Sequence, residues 1–142
     1  MIRLLLVTPY RNSLLELASA MEKYDDVELT WTDSGQKALD KLSETSVDLA
    51  VTDKELGDMT GLEFAEKLLR VNPMINCAVL SSLPSDEFHE ASEGLGVFAQ
   101  LPLRPAKADA EKLLIGLKKL KELTAGIKHY TLINATSTKS CR

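Results

Sequence analysis

Apolar residues follow two alternating rhythms along this chain. Short continuous or alternating runs at Ile2–Val7, Val27–Thr32, Val47–Thr52, Asn76–Ser82 and Val97–Leu101 predict buried or half-buried strands. Between them, apolar positions recur three and four residues apart, as on the inner face of a helix. Leu14, Leu15, Leu17, Ala18 and Met21 form the first such set, with Ser13 as expected N-cap. Ala38, Leu39 and Leu42 form the second, capped by Asp33 or Ser34. Leu62, Phe64, Ala65, Leu68 and Leu69 form the third, stopped by Asn72-Pro73. A short helix after Ser85 turns Phe88 and Ala91 inward. A last helix, from about Lys107 to Leu123, carries Ala110, Leu113, Leu114, Leu117 and Leu120.

Strands alternating with helices five times over predict βαβ units around a parallel sheet, with right-handed crossovers and helices on both faces. The 142 residues suit one domain with a real core. We expect that domain over residues 1–124. Residues 125–142 read as a flexible or docking tail, with the apolar patch Tyr130-Thr-Leu-Ile133 in a Thr/Ser/Lys-rich end.

Composition narrows the function classes. The formal net charge of −4 argues against a nucleic-acid surface. No apolar run approaches membrane-spanning length, and the apolar stretch after Met1 is too short for a signal peptide. A soluble cytoplasmic protein is the expectation. Cys77 and Cys141 read as two free thiols of a reducing compartment. His89 and His129 stand apart from any ligand at metal spacing. Ser81 and Ser82 lack the setting of a hydrolase nucleophile, and no phosphate-binding glycine loop follows the first strand. Nothing here points to an enzyme. Trp31 reads as packing, and the lysines Lys112, Lys118, Lys119 and Lys121 as the wet face of the last helix.

The most informative stretch is Ser46-Val-Asp-Leu-Ala-Val-Thr-Asp53, followed by a loop with Gly57 and Gly61 and an amphipathic helix. It puts the Asp53 carboxylate just past a buried strand, at the rim where open α/β sheets place their chemistry.

These residues together resemble the receiver domain of bacterial two-component response regulators, over roughly Ile2 to Leu123. Asp53 with Met59-Thr-Gly61-Leu62-Glu63 is the strongest match. Val79-Leu-Ser81-Ser82 matches the strand-end hydroxyl motif, and Leu103-Arg104-Pro105 matches the family's Lys-Pro with Arg for Lys. The resemblance implies a flavodoxin-like doubly wound sheet of five parallel strands, in the order 2-1-3-4-5, between two helical layers. It implies Asp53 as phosphoacceptor, Ser81 and Arg104 as phosphate-pocket residues, and a Mg²⁺ ion held partly by the Glu55 carbonyl. It implies a histidine kinase or another signalling protein as partner. It also implies an output or dimer face that includes Phe88, Leu95, Val97, Ala99 and Leu101.

The departures bear on chemistry. Thr8 and Pro9 stand where the family has the two acids that hold Mg²⁺. One carboxylate should hold Mg²⁺ weakly or not at all, and phosphoryl transfer leans on such ions. Leu101 replaces a switch aromatic, and Gly57 a proline. Glu55 and Asp58 read as solvated loop acids, one helping to cap the next helix. Arg104 has two readings. It either supports a phosphorylated Asp53 or pairs with the unmodified one. Two functions stay open. One is a phosphorelay receiver acting through Asp53, with output through a partner or a homodimer. The other is a pseudo-receiver that binds its partner without phosphate. A flavin binder is a minor third reading.

Overall fold

The computed structural model describes residues 2–131, and the side chains of residues 2–122. Five parallel strands form one sheet: β1 (Ile2–Val7), β2 (Val27–Thr32), β3 (Leu49–Thr52), β4 (Asn76–Leu80) and β5 (Val97–Leu101), in the order β2-β1-β3-β4-β5. Five α-helices alternate with them: α1 (Leu15–Met21), α2 (Gly35–Glu44), α3 (Gly61–Val71), α4 (Ser85–Ala91) and α5 (Lys107–Thr131). The expected fold class and strand order are those observed.

The period of two along a strand divides the core. In β1, Leu4 and Leu6 pack with α1 and α5, whereas Leu5 and Val7 pack with α2 and α3. The central strands β1, β3 and β4 serve both layers, which is why they read as apolar runs. The edge strand β2 is only half-buried, and its burial does not follow the alternation of its sequence. Phe64 and Leu68 of α3 are fully buried, each worth about 1.5–3 kcal/mol of transfer free energy.

Local starts and stops follow side-chain chemistry in part. Ser34 caps α2 by accepting from the Lys37 amide. Thr60 and Glu63 form a reciprocal capping box on α3, worth about 1 kcal/mol. Ser13 and Ser85, expected as caps, do not serve. Ser13 lies inside a 3-10 turn, Arg11–Leu14, and its amide bonds to the Tyr10 carbonyl. Ser85 is already the first residue of α4, behind Pro84, whose fixed φ starts the helix.

Some boundaries and facings differ from expectation. Val47 and Asp48 precede β3, and Asp48 instead accepts from the Arg3 amide. Leu15 and Ala91 face solvent. Helix α5 runs to Thr131, past Leu123, so the first part of the expected tail is helical. Cys141 lies outside the described residues.

The expected output face is divided by a bulge. Cys77 pairs with Val97 and Ala78 with Ala99, so Phe98 is the extra residue on β5. One extra residue moves the following side chains to the other face. Val97 therefore packs with Phe88 in the α2–α3 layer, and Ala99 and Leu101 in the α1–α5 layer. Phe88 and Leu101 are core residues, and Leu95 is half-buried.

Candidate functional site at the carboxyl rim

Register places the site. Val7 pairs with Thr52, so the next residues, Thr8 and Asp53, leave the sheet side by side. The Asp53 amide bonds to the Val7 carbonyl at 2.9 Å, and the Thr8 amide to the Thr32 carbonyl at 3.0 Å. Ladder bonds thus continue one residue beyond the strands and hold both backbones.

The Thr8 hydroxyl lies 2.7 Å from Asp53 Oδ2 and 3.1 Å from the Tyr10 carbonyl. Its one proton belongs to the shorter contact, because a carboxylate is the stronger acceptor. The same hydroxyl accepts from the Tyr10 amide at 2.9 Å. The other carboxylate oxygen, Oδ1, accepts from the Lys54 amide at 2.7 Å. Asp53 is only 8% exposed and Thr8 only 2%. A carboxylate at that depth needs partners, and here both are neutral donors.

The loop after Asp53 is closed on itself. Glu55 and Thr60 form an antiparallel bridge, the Leu56 amide bonds to the Met59 carbonyl, and the Gly61 amide to the Lys54 carbonyl. Gly57, at φ +87°, makes the tight corner. Asp58 does not cap the helix that follows. Its two oxygens accept from the Gly35 and Gln36 amides at 3.0 and 2.9 Å, at the N-terminus of α2. The Gln36 bond foremost, with the Gly35 bond, holds its carboxyl below the ordinary value of 3.8. Met59 then packs against Gly35, where a Cβ would meet its sulfur.

The other expected pocket residues arrive at the same rim without reaching Asp53. The half-buried Ser81 hydroxyl accepts from the Leu83 amide at 3.1 Å, closing its own turn. Pro9 is exposed. Arg104 is exposed, and its guanidinium makes no ion pair or hydrogen bond among the described residues. The Asp53–Arg104 pair, one of the two readings of Arg104, is therefore absent. The Asp53 oxygens accept from the Thr8 hydroxyl and the Lys54 amide instead.

The donor set does not fit Mg²⁺, which prefers octahedral oxygen ligation with one or two carboxylates. Asp53 supplies a single carboxylate, Thr8 is a neutral hydroxyl whose proton is given to it, and Pro9 brings no side-chain donor. The Glu55 side chain is exposed in the closed loop. Among the described residues, no group of three His, Cys, Asp or Glu side chains could hold a metal ion. His89 is exposed. Cys77 is buried, and desolvation pushes its thiol up to about 12. No helix of the described residues is long and apolar enough to cross a membrane.

The direct Thr8–Asp53 bond is the feature that sequence reasoning missed. The order 2-1-3 contained the signal, since it makes the ends of β1 and β3 neighbours.

Solved structures share this architecture. The chemotaxis response regulator CheY4 of Vibrio cholerae superposes with a TM-score of 0.72 at 18% identity, over 82% of this chain and 98% of its own. A CheY-like receiver domain protein from Methanospirillum hungatei gives 0.74 at 23%, over 86% and 98%. An uncharacterized protein from Neptuniibacter caesariensis gives 0.75 at 22%, over 93% and 95%. No curated protein sequence matches the chain. In sequence, residues 9–102 match the response regulator receiver domain, and they carry Asp53, the loop behind it and the strand-end Ser81. This chain belongs to the response regulator receiver domain family.

Proposed function

We propose that this receiver domain is a phosphorylation-independent binding module of two-component signalling, a pseudo-receiver and not an enzyme. The observation that carries this reading is the Thr8 hydroxyl bonded to Asp53 Oδ2, where the family's resemblance puts a metal-holding acid. Phosphoryl transfer depends on positioning and on charge neutralisation at the transferring group. Here the acceptor carboxylate is tied to neutral donors, and Arg104 stands away from it. The partner is a histidine kinase or another signalling protein in the cytoplasm, and nucleic acid is not contacted directly. Output runs through that partner or through a homodimer, with the half-buried Leu95, Val97 and Ala99 beside the β5 edge as the part of the expected face within reach.

Treatment with acetyl phosphate, or with BeF₃⁻, in the presence of Mg²⁺ tests the reading by intact mass and Trp31 fluorescence. We expect no adduct in the wild type. Thr8→Asp with Pro9→Asp should acquire a Mg²⁺-dependent fluorescence change.

A second reading keeps Asp53 as phosphoacceptor. It draws on Asp53's place one residue past the paired end of β3, with the Lys54 amide already on Oδ1. A stable wild-type adduct that disappears in Asp53→Asn would establish it and end the first.

A further inference from the structure

Beside the rim, between the end of β1 and the start of α2, an open cleft of about 470 Å³ is lined by Thr8, Pro9, Arg11, Trp31, Thr32, Asp33 and Lys37. That volume is within the range of small-molecule sites. Its lining is rich in polar and cationic groups. The chain as a whole carries a charge of −4, yet the exposed ionic groups of this cleft are two cations and one acid.

Arg11 is held and unspent. Its guanidinium carbon lies 4.5 Å from the centroid of the Trp31 ring. The ring quadrupole attracts the cation. Its N–H groups have no protein acceptor among the described residues, and no carboxylate pairs with it. Lys37 is paired with Asp33 at 3.0 Å, but both side chains are about two-thirds exposed. Such an i,i+4 pair is worth a few tenths of a kcal/mol at most and opens readily. Thr32 also lines the cleft, and its own hydroxyl is buried without a protein hydrogen-bond partner.

We propose that this cleft binds a small organic anion through a carboxylate or phosphate group. Arg11 is the principal anchor, held against Trp31, and Lys37 is the second cation once it leaves Asp33. A planar fork of N–H donors matches either oxyanion in a bidentate way. Asp53, behind Thr8, repels an anion from the deeper end, so the charged group stays at the Arg11–Lys37 side and Pro9 supplies apolar contact for the ligand body. This inference is independent of whether Asp53 is ever phosphorylated.

Trp31 is the one tryptophan of the chain, so its emission and its indole N–H resonance both report on the cleft. The probes are inorganic phosphate, glucose 6-phosphate and benzoate, each titrated against sodium chloride at matched ionic strength. We expect a saturable response to at least one of these oxyanions and none to chloride. Phosphate and benzoate together distinguish the two sources of the oxyanion. Arg11→Gln should weaken binding about tenfold, and Arg11→Lys should restore only part of it. Lys37→Gln should weaken it by a smaller factor, and Arg70→Gln, a surface cation on α3, should leave it unchanged. A response that never saturates, that chloride reproduces, or that survives Arg11→Gln at full affinity overturns the proposal. Arg11 is exposed, so its variants should fold, and far-ultraviolet circular dichroism checks this.

Discussion

Thr8 and Asp53, 45 residues apart, share a 2.7 Å hydrogen bond at the buried end of two neighbouring strands. The bond gives a buried carboxylate a neutral partner. It also makes Thr8 part of the fold's stability, because the same hydroxyl accepts from the Tyr10 amide.

Thr8→Val should therefore cost about 1.5–3 kcal/mol, since it leaves a buried carboxylate short of a donor and an amide short of an acceptor. Thr8→Ser keeps the hydroxyl and should recover most of the loss. Urea midpoints at neutral pH measure both. Equal stability of Thr8→Val and wild type would show that the bond contributes nothing.

Glycine substitutions should separate two kinds of constraint in the loop behind Asp53. A Cβ at Gly61 would fall inside contact distance of the Asp53 carbonyl oxygen and 3.2 Å from Val79 Cγ1. Backbone cannot step aside as a side chain can, so Gly61→Ala should cost about 1–3 kcal/mol and shift the Asp53 amide resonance. A Cβ at Gly57 meets nothing, and only its φ of +87° resists. Gly57→Ala should cost about 1 kcal/mol and leave Asp53 in place.

Asp58 gives the fold an acid-sensitive tie. Its carboxyl is held below 3.8 by the Gln36 and Gly35 amides. A group whose folded pKa is depressed stabilises the fold above its unfolded pKa and loses that contribution as pH falls through the folded one. The tie is thus complete above about pH 4 and weakens below it. Asp58 is exposed, so solvent limits its worth to about 0.5 kcal/mol. In denaturation series from pH 6 to pH 3, Asp58→Asn should start less stable than wild type and decline less steeply. Parallel curves would exclude the tie.

Cys77 should be silent to thiol reagents in the folded protein. With its thiol pushed up to about 12, the reactive thiolate is about one part in ten thousand at pH 8. In a Cys141→Ser background, modification by a disulfide reagent should follow opening of the α2–α3 core and become independent of reagent concentration at high excess. A rate proportional to reagent throughout, in the range of a free thiol, would contradict the burial.

Much of this molecule was legible because its signals are local. Apolar runs mark β1 from Leu4 on, β3, and β4 from Cys77 on, since strands covered on both faces have no wet side to alternate with. Helical spacing marked the inner faces of α2 and α3, and the Asp53–Gly61 stretch marked the site and the family. Some local signals misled. Ser13 and Ser85 have cap chemistry, but a 3-10 turn and Pro84 occupy the positions where it would act.

The sequence by itself determined the alternation of strand and helix, the placement of Asp53 at a strand end, and the loss of the acids at Thr8 and Pro9. Tertiary structure alone decided what became of those residues. The bulge at Phe98 sent Val97 and Ala99 to opposite layers, because a slip of one residue reverses a strand's faces. Asp58 went to the N-terminus of α2 rather than to its own helix, because two unpaired amides 22 and 23 residues away lay within reach. Arg104 stayed exposed, away from Asp53, whose oxygens accept from Thr8 and Lys54. Hydrophobic period is a property of neighbours along the chain, whereas hydrogen-bond partners are chosen among groups that only folding brings together.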